Sequence, residues 1–128
     1  MTDPGKKLIM LIDDDAFLLQ MYSMKFTSEG FAVHTCTSVK EALDTLRHGL
    51  VPDAIAFDVT MPEHDGFFLL QAIHDEKLVP SAKKIALTNQ QTEAEQEKAR
   101  ELGVDEYIIK ATMIPSEVVS TVRDVLTR

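Results

Sequence analysis

The chain has 128 residues, 45% of them hydrophobic, with five glycines and five prolines: enough for one compact domain with a sizeable core and too few for a second. Twenty-one acidic against thirteen basic residues leave a net charge of −8, a field that repels nucleic-acid phosphates and anionic lipid surfaces. A single cysteine, Cys36, excludes an internal disulfide framework and a cysteine metal cluster, and makes a reducing compartment, the cytoplasm, the expected setting.

Met1 to Lys7 lead into a run of only five apolar residues, too few for a secretory leader or a membrane span. That run, Leu8-Ile9-Met10-Leu11-Ile12, has the composition of a parallel strand buried on both faces, and Asp13-Asp14-Asp15 end it. Leu18, Met21 and Tyr22 follow at helical spacing, and Gly30 stops them before a second strand at residues 31–36. Ser38 stands where an N-cap is wanted for a helix with Val39, Ala42, Leu43 and Leu46 on one face. Gly49 and Val51-Pro52 separate it from a third strand at 54–57, with Asp58 behind. Phe67 and Phe68 open a helix expected to face the core, continued by Leu70 and Ile73. A fourth strand at 84–87 ends on Thr88.

Residues 92–102 offer only Ala94, Ala99 and Leu102 as apolar contacts, so this helix is expected to be weakly anchored, with Thr92 as N-cap and Glu95 at the capping-box position. Gly103 precedes a fifth strand at 106–109, Lys110 ends it, and Val118, Val122 and Val125 mark the last helix. Strand and helix alternate throughout. The pattern predicts an α/β fold, a (βα)5 doubly wound five-stranded parallel sheet, as a single domain over residues 1–128.

In such a sheet, ligands sit beyond the carboxyl ends of the strands, where Asp13, Asp14, Asp58, Thr88 and Lys110 are expected together. Carboxylates crowded on one edge need protons or a cation, and a hard divalent ion such as Mg²⁺ suits oxygen donors. Neither G-x-x-x-x-G-K-[ST] nor G-x-G-x-x-G occurs in the chain, so phosphoryl chemistry here requires a carboxylate acceptor rather than a phosphate-binding loop. Asp15 reads as an N-cap and stays out of the site. His34, His48, His64 and His74 share no metal spacing, and Cys36 reads as core filler.

Four segments in order, Leu11-Ile12-Asp13-Asp14-Asp15, Asp58-Val59-Thr60-Met61-Pro62 with Asp65-Gly66, Ala86-Leu87-Thr88, and Tyr107-Ile108-Ile109-Lys110, resemble the signature of the response-regulator receiver domain of two-component systems. The resemblance implies a flavodoxin-like strand order 2-1-3-4-5. It implies that Asp13, Asp14, Asp58 and the backbone carbonyl of Thr60 hold Mg²⁺, or Mn²⁺ in its place. Asp58 is then the phosphoacceptor, Thr88 and Lys110 bind phosphoryl oxygens, and Thr88 and Tyr107 act as the switch. The implied partners are a histidine kinase or histidine phosphotransfer protein upstream and a protein target downstream, with neither nucleic acid nor membrane bound directly. A phosphorylation-dependent homodimer through residues 92–127 is also consistent with it. The domain would be no enzyme beyond its own phosphorylation and dephosphorylation.

Two positions depart from the family pattern. Asn89 stands where a small residue is usual after the hydroxyl residue, and Ala111 follows Lys110 where the family has a proline with a cis bond. A cis bond before alanine costs roughly 3 kcal/mol, so either strain persists or the loop is rearranged. These departures motivate a second reading, a degenerate receiver that binds partners constitutively. A third, an aspartyl-phosphate phosphatase or phosphotransferase, takes its cue from the D-x-D within Asp13-Asp14-Asp15. That reading wants a hydroxyl two residues after the second aspartate, where Phe17 stands.

Overall fold

The computed structural model describes residues 5–89 and 92–128; residues 1–4, part of the N-terminal stretch read above, lie outside them. Five strands, β1 (Leu8–Ile12), β2 (Ala32–Cys36), β3 (Ala54–Asp58), β4 (Lys83–Thr88) and β5 (Glu106–Ile109), alternate with five helices. The helices are α1 (Ala16–Ser28), α2 (Val39–Arg47), α3 (Gly66–Asp75), α4 (Glu93–Glu101) and α5 (Pro115–Leu126), and a 3₁₀ turn, Lys110–Thr112, joins β5 to α5. All pairings are parallel and the order is β2-β1-β3-β4-β5, the doubly wound fold and strand order expected. No described helix is long and apolar enough to cross a membrane.

Side chains alternate across the sheet and divide the core in two. Met10, Ile12, Ile55, Phe57 and Ala86 pack with α2 and α3, while Ile9, Leu11, Ala54, Ala56, Ile85, Leu87 and Ile108 pack with α1 and α5. Burial on both faces explains why β1 and β3 read as unbroken apolar runs. The stripe predicted for α2 is buried throughout, as Val39, Ala42, Leu43 and Leu46. On α1 the stripe is rotated: Leu19, Tyr22 and Phe26 are buried, and Leu18 and Met21 only partly. The core-facing expectation for Phe68 is corrected. It is 45% exposed and its ring stacks on His64 at 4.0 Å, because Leu69, Leu70 and Ile73 occupy the inner face of α3.

Caps fix where the helices begin. Asp15 accepts from the N–H groups of Phe17 and Leu18, Ser38 from Glu41 and Thr92 from Glu95, each satisfying donors that a first turn leaves open. The weak anchoring expected of α4 holds, since Ala99 is its buried residue. At the opposite edge, Asp53 and Asp105 join neighbouring strands. Each accepts a strand N–H, from Leu8 and Lys84 respectively at 2.8 Å, and each returns its own N–H to the same residue's carbonyl.

Gly66 brings α3 against the end of β3. Its N–H bonds the Val59 carbonyl at 2.9 Å, and a Cβ there would lie 2.7 Å from the Phe57 ring and 3.0 Å from the Asp58 carbonyl oxygen. Alanine gains up to about 1 kcal/mol in a helix over glycine, but a fixed ring and a backbone atom cannot retreat cheaply. Gly66→Ala is therefore expected to lower stability by about 1–3 kcal/mol, measured by chemical denaturation beside wild type, and unchanged or higher stability would refute this packing.

Candidate functional site

The alternation that divides the core also assembles the site. Asp13 continues the parity of Ile9 and Leu11, Asp58 that of Ala54 and Ala56, and Lys110 that of Ile108. The β1–β3 register pairs Ile12 with Phe57, so Asp13 and Asp58 stand next to each other one step on. The Lys110 ammonium lies 2.7 Å from Asp13 Oδ2 and 3.2 Å from Asp58 Oδ2. Each aspartate's other oxygen accepts a backbone N–H, Asp13 from Asp15 at 2.9 Å and Asp58 from Thr60 at 3.1 Å.

Asp13 and Asp58 are buried, Asp14 is exposed, and one carboxylate oxygen from each of the three lies within 4.8 Å of the others. They line a cleft of about 320 Å³ together with Asp15, Leu18, Thr60, Asn89 and Lys110. The exposed Asn89 stands in this lining, the place where a side chain larger than the usual one would narrow access to Asp58.

Burial is the largest influence on Asp58 and raises its pKa; Lys110 opposes this, the Asp13 charge adds to it, and the Thr60 N–H opposes it, leaving the value above the ordinary carboxylate range. Burial lowers the pKa of Lys110, but the two carboxylates outweigh it and the net shift is upward. One held ammonium thus faces three carboxylates. The imbalance leaves the cleft negative, and its hard oxygen donors suit a divalent cation.

Thr88 and Tyr107 are not among the described residues lining the cleft. Thr88 is buried at the end of β4, one residue past Leu87, the register partner of Asp58. Tyr107 is half-buried; burial raises the pKa of its hydroxyl, which lies 3.5 Å from Glu95 Oε2 on α4. Sequence reading missed this contact, because Glu95 was assigned to a cap and nothing local signals a helix-to-strand pair twelve residues apart. It missed Leu18 in the cleft wall as well.

Beyond Lys110 the chain enters the 3₁₀ turn, and the described residues contain no cis peptide bond. At the start of this turn Lys110 lies on both carboxylates. Cys36 is buried, with its thiol pushed up to about 11 by burial first and by Glu41 second, as core filler requires. Among the described residues, Asp13, Asp14 and Asp58 are the group of side chains placed to hold a metal, and no histidine belongs to it.

The model of the response regulator receiver domain family matches residues 9–123. The chain belongs to this family. Similar curated proteins include the "Probable transcriptional regulator ycf27" of Guillardia theta, 32% identical over 123 residues, which cover 96% of this chain and 46% of that protein. Another is the response regulator SaeR of Staphylococcus aureus, 31% identical over 121 residues, which cover 94% of this chain and 50% of SaeR. The chain spans about half the length of these relatives. Among solved structures, the CheY-like receiver domain protein of Methanospirillum hungatei JF-1 matches with a TM-score of 0.87 at 24% identity, over 96% of this chain and 95% of that one.

The receiver domain's three carboxylates give a direct expectation for metal binding. Titration with Mg²⁺ should raise the melting temperature, because a ligand bound only by the folded state adds about 2.7 kcal/mol at a hundredfold excess over its Kd. Asp14→Asn, which removes an exposed charge and no described internal contact, should lose most of that gain. An equal rise in the variant, followed by differential scanning fluorimetry, would place the ion elsewhere.

Proposed function

We propose that this receiver domain is a phosphorylation-activated signalling switch in which Asp58 is the phosphoacceptor. The observation that carries this reading is a buried carboxylate whose Oδ2 is held 3.2 Å from the Lys110 ammonium, in an open cleft walled by three further aspartates. The donor is a phosphohistidine of a histidine kinase or histidine phosphotransfer protein. A carboxylate oxygen of Asp58 attacks phosphorus, the N–P bond breaks, and its electron pair leaves on the imidazole, which takes up a proton.

Asp13, Asp14, Asp58 and the Thr60 carbonyl would hold Mg²⁺, with Mn²⁺ able to replace it; the exclusively oxygen donor set and the surplus of carboxylate over ammonium fit such an ion. When bound, it neutralises charge on the transferring group. Lys110 supplies a second positive group, and Thr88 a hydroxyl at the end of the next strand. The free state already keeps the ammonium at the reacting edge, so little reorganisation precedes transfer.

The signal would leave through α4, β5 and α5 to a protein target, in the cytoplasm, with homodimerisation through residues 92–127 as one route. The domain's own chemistry is limited to taking up and losing the phosphoryl group. The motive for a degenerate receiver weakens, because the ammonium placed in doubt by Ala111 lies on both carboxylates.

Intact mass after incubation with Mg²⁺ and acetyl phosphate should show one added phosphoryl group, absent in Asp58→Asn and in a metal-free control. A folded, Mg²⁺-binding protein that gains no mass would favour the constitutive binding module instead. Light scattering before and after phosphorylation tests the dimer, and a monomer in both states would remove it.

A further inference from the structure

Helices α1, α2 and α4 end in the same way. One residue past the cap, Gly30, Gly49 and Gly103 turn the chain at φ between 90° and 108°, and the next N–H bonds a carbonyl five residues back. Helix α3 closes by the same bond, from the Leu78 N–H to the Ile73 carbonyl at 2.9 Å, but the residue that turns the chain is Lys77, at φ +55°. Two residues on, Val79 is at φ +34°, where a β-branched side chain is an outlier. Glycine would relieve the backbone at Lys77, and strain of this kind gathers at ligand clamps.

The strained segment borders a groove of about 370 Å³ between the ends of α3 and α4, at the opposite edge of the sheet from the Asp58 cleft. Leu70, Ile73, Leu78 and Leu102 supply its apolar wall, Lys77 and Lys84 its charge, and no carboxylate stands among the described residues lining it. That charge is uncommitted. All four arginines of the chain lie within 3.4 Å of a carboxylate oxygen. The Lys84 ammonium bonds the Ala82 carbonyl at 3.1 Å instead, and the Lys77 ammonium bonds no described group. In a chain of net charge −8, an apolar groove rimmed by two such ammonium groups is complementary to an acidic segment with apolar anchors.

We propose that this groove docks an acidic segment of a partner protein, with leucine-type side chains seated between the ends of α3 and α4 and carboxylates on Lys77 and Lys84. The groove and the Asp58 cleft share no lining residue, so the inference does not depend on Asp58 being the acceptor. Lys77 then explains its own strain. With glycine in its place α3 would close as the other three helices do, and the rim would lose a charge.

A blocked dodecapeptide, Glu-Leu-Glu-Glu-Leu-Glu written twice, tests this by titration into nitrogen-15-labelled protein followed by NMR. The amides of Leu78, Lys84 and Gly103 should shift, and added salt should weaken the binding. Lys77→Gly should melt no lower than wild type yet bind roughly two- to five-fold more weakly, the worth of an exposed ion pair. Lys84→Gln should weaken binding similarly while leaving the turn untouched. Peptides with glutamine for every glutamate, or serine for every leucine, should bind less well than the parent. Shifts confined to other amides, equal binding of the glutamine peptide, or full affinity in both lysine variants would overturn the proposal. A lower melting temperature for Lys77→Gly would overturn the argument from strain. Shifts at the same amides on concentrating the protein alone would give the groove to a second copy of this chain and overturn the choice of partner.

Discussion

The Lys110 ammonium lies between two buried carboxylates, 2.7 Å from Asp13 and 3.2 Å from Asp58, and the working edge of the sheet depends on that arrangement. Three elements meet there: the residue after β1, the last residue of β3 and the residue after β5. Without a cation, two neighbouring buried aspartates would repel each other and resist ionisation. With one ammonium between them the charge is reduced and not cancelled. A buried ion pair is poor evidence for net stability, since desolvation consumes much of the attraction. Its value here lies in aim: three side chains from strands distant in sequence are held in one geometry, with a negative remainder that attracts a further cation.

The apolar sheet makes this arrangement available. Because side chains alternate and β1 and β3 are buried on both faces, the polar residue at the end of each strand inherits a fixed side and depth. A one-residue slip in β1 against β3 would turn Asp13 to the α2–α3 side and put an apolar residue at the cleft. The same slip would misplace Ile9 and Leu11, so the packing that resists register error also protects the site. Asp53 and Asp105 add resistance from the other edge, each joining two strands through a reciprocal pair of hydrogen bonds.

The (βα)5 order and the strand ends were legible in the sequence for the same reason, since a strand buried on both faces leaves no ambiguity in a run such as Leu8-Ile9-Met10-Leu11-Ile12. The caps at Asp15, Ser38 and Thr92 were legible because capping is local chemistry between residues two or three apart. The orientation of α3 was not. Phe67, Phe68, Leu69 and Leu70 are apolar in succession, so hydrophobicity alone does not say which face turns inward, and close approach of Gly66 to Phe57 decides it. The rotation of α1 has a similar cause, with Phe17, Leu18 and Leu19 all apolar and one turn able to bury only part of them. Contacts between elements distant in sequence, such as Glu95 with Tyr107, leave no periodic trace.

The two faces of the sheet also divide the labour. On one side of the strand ends, Asp13, Asp58 and Lys110 share the parity of residues packed by α1 and α5, helices that bury three and four side chains. On the other, Tyr107 packs with the α2–α3 cluster and reaches α4, which buries Ala99. A charge placed at the first group meets a well-packed wall and moves little. A displaced hydroxyl in the second meets a helix held by few apolar contacts, whose position costs little to change.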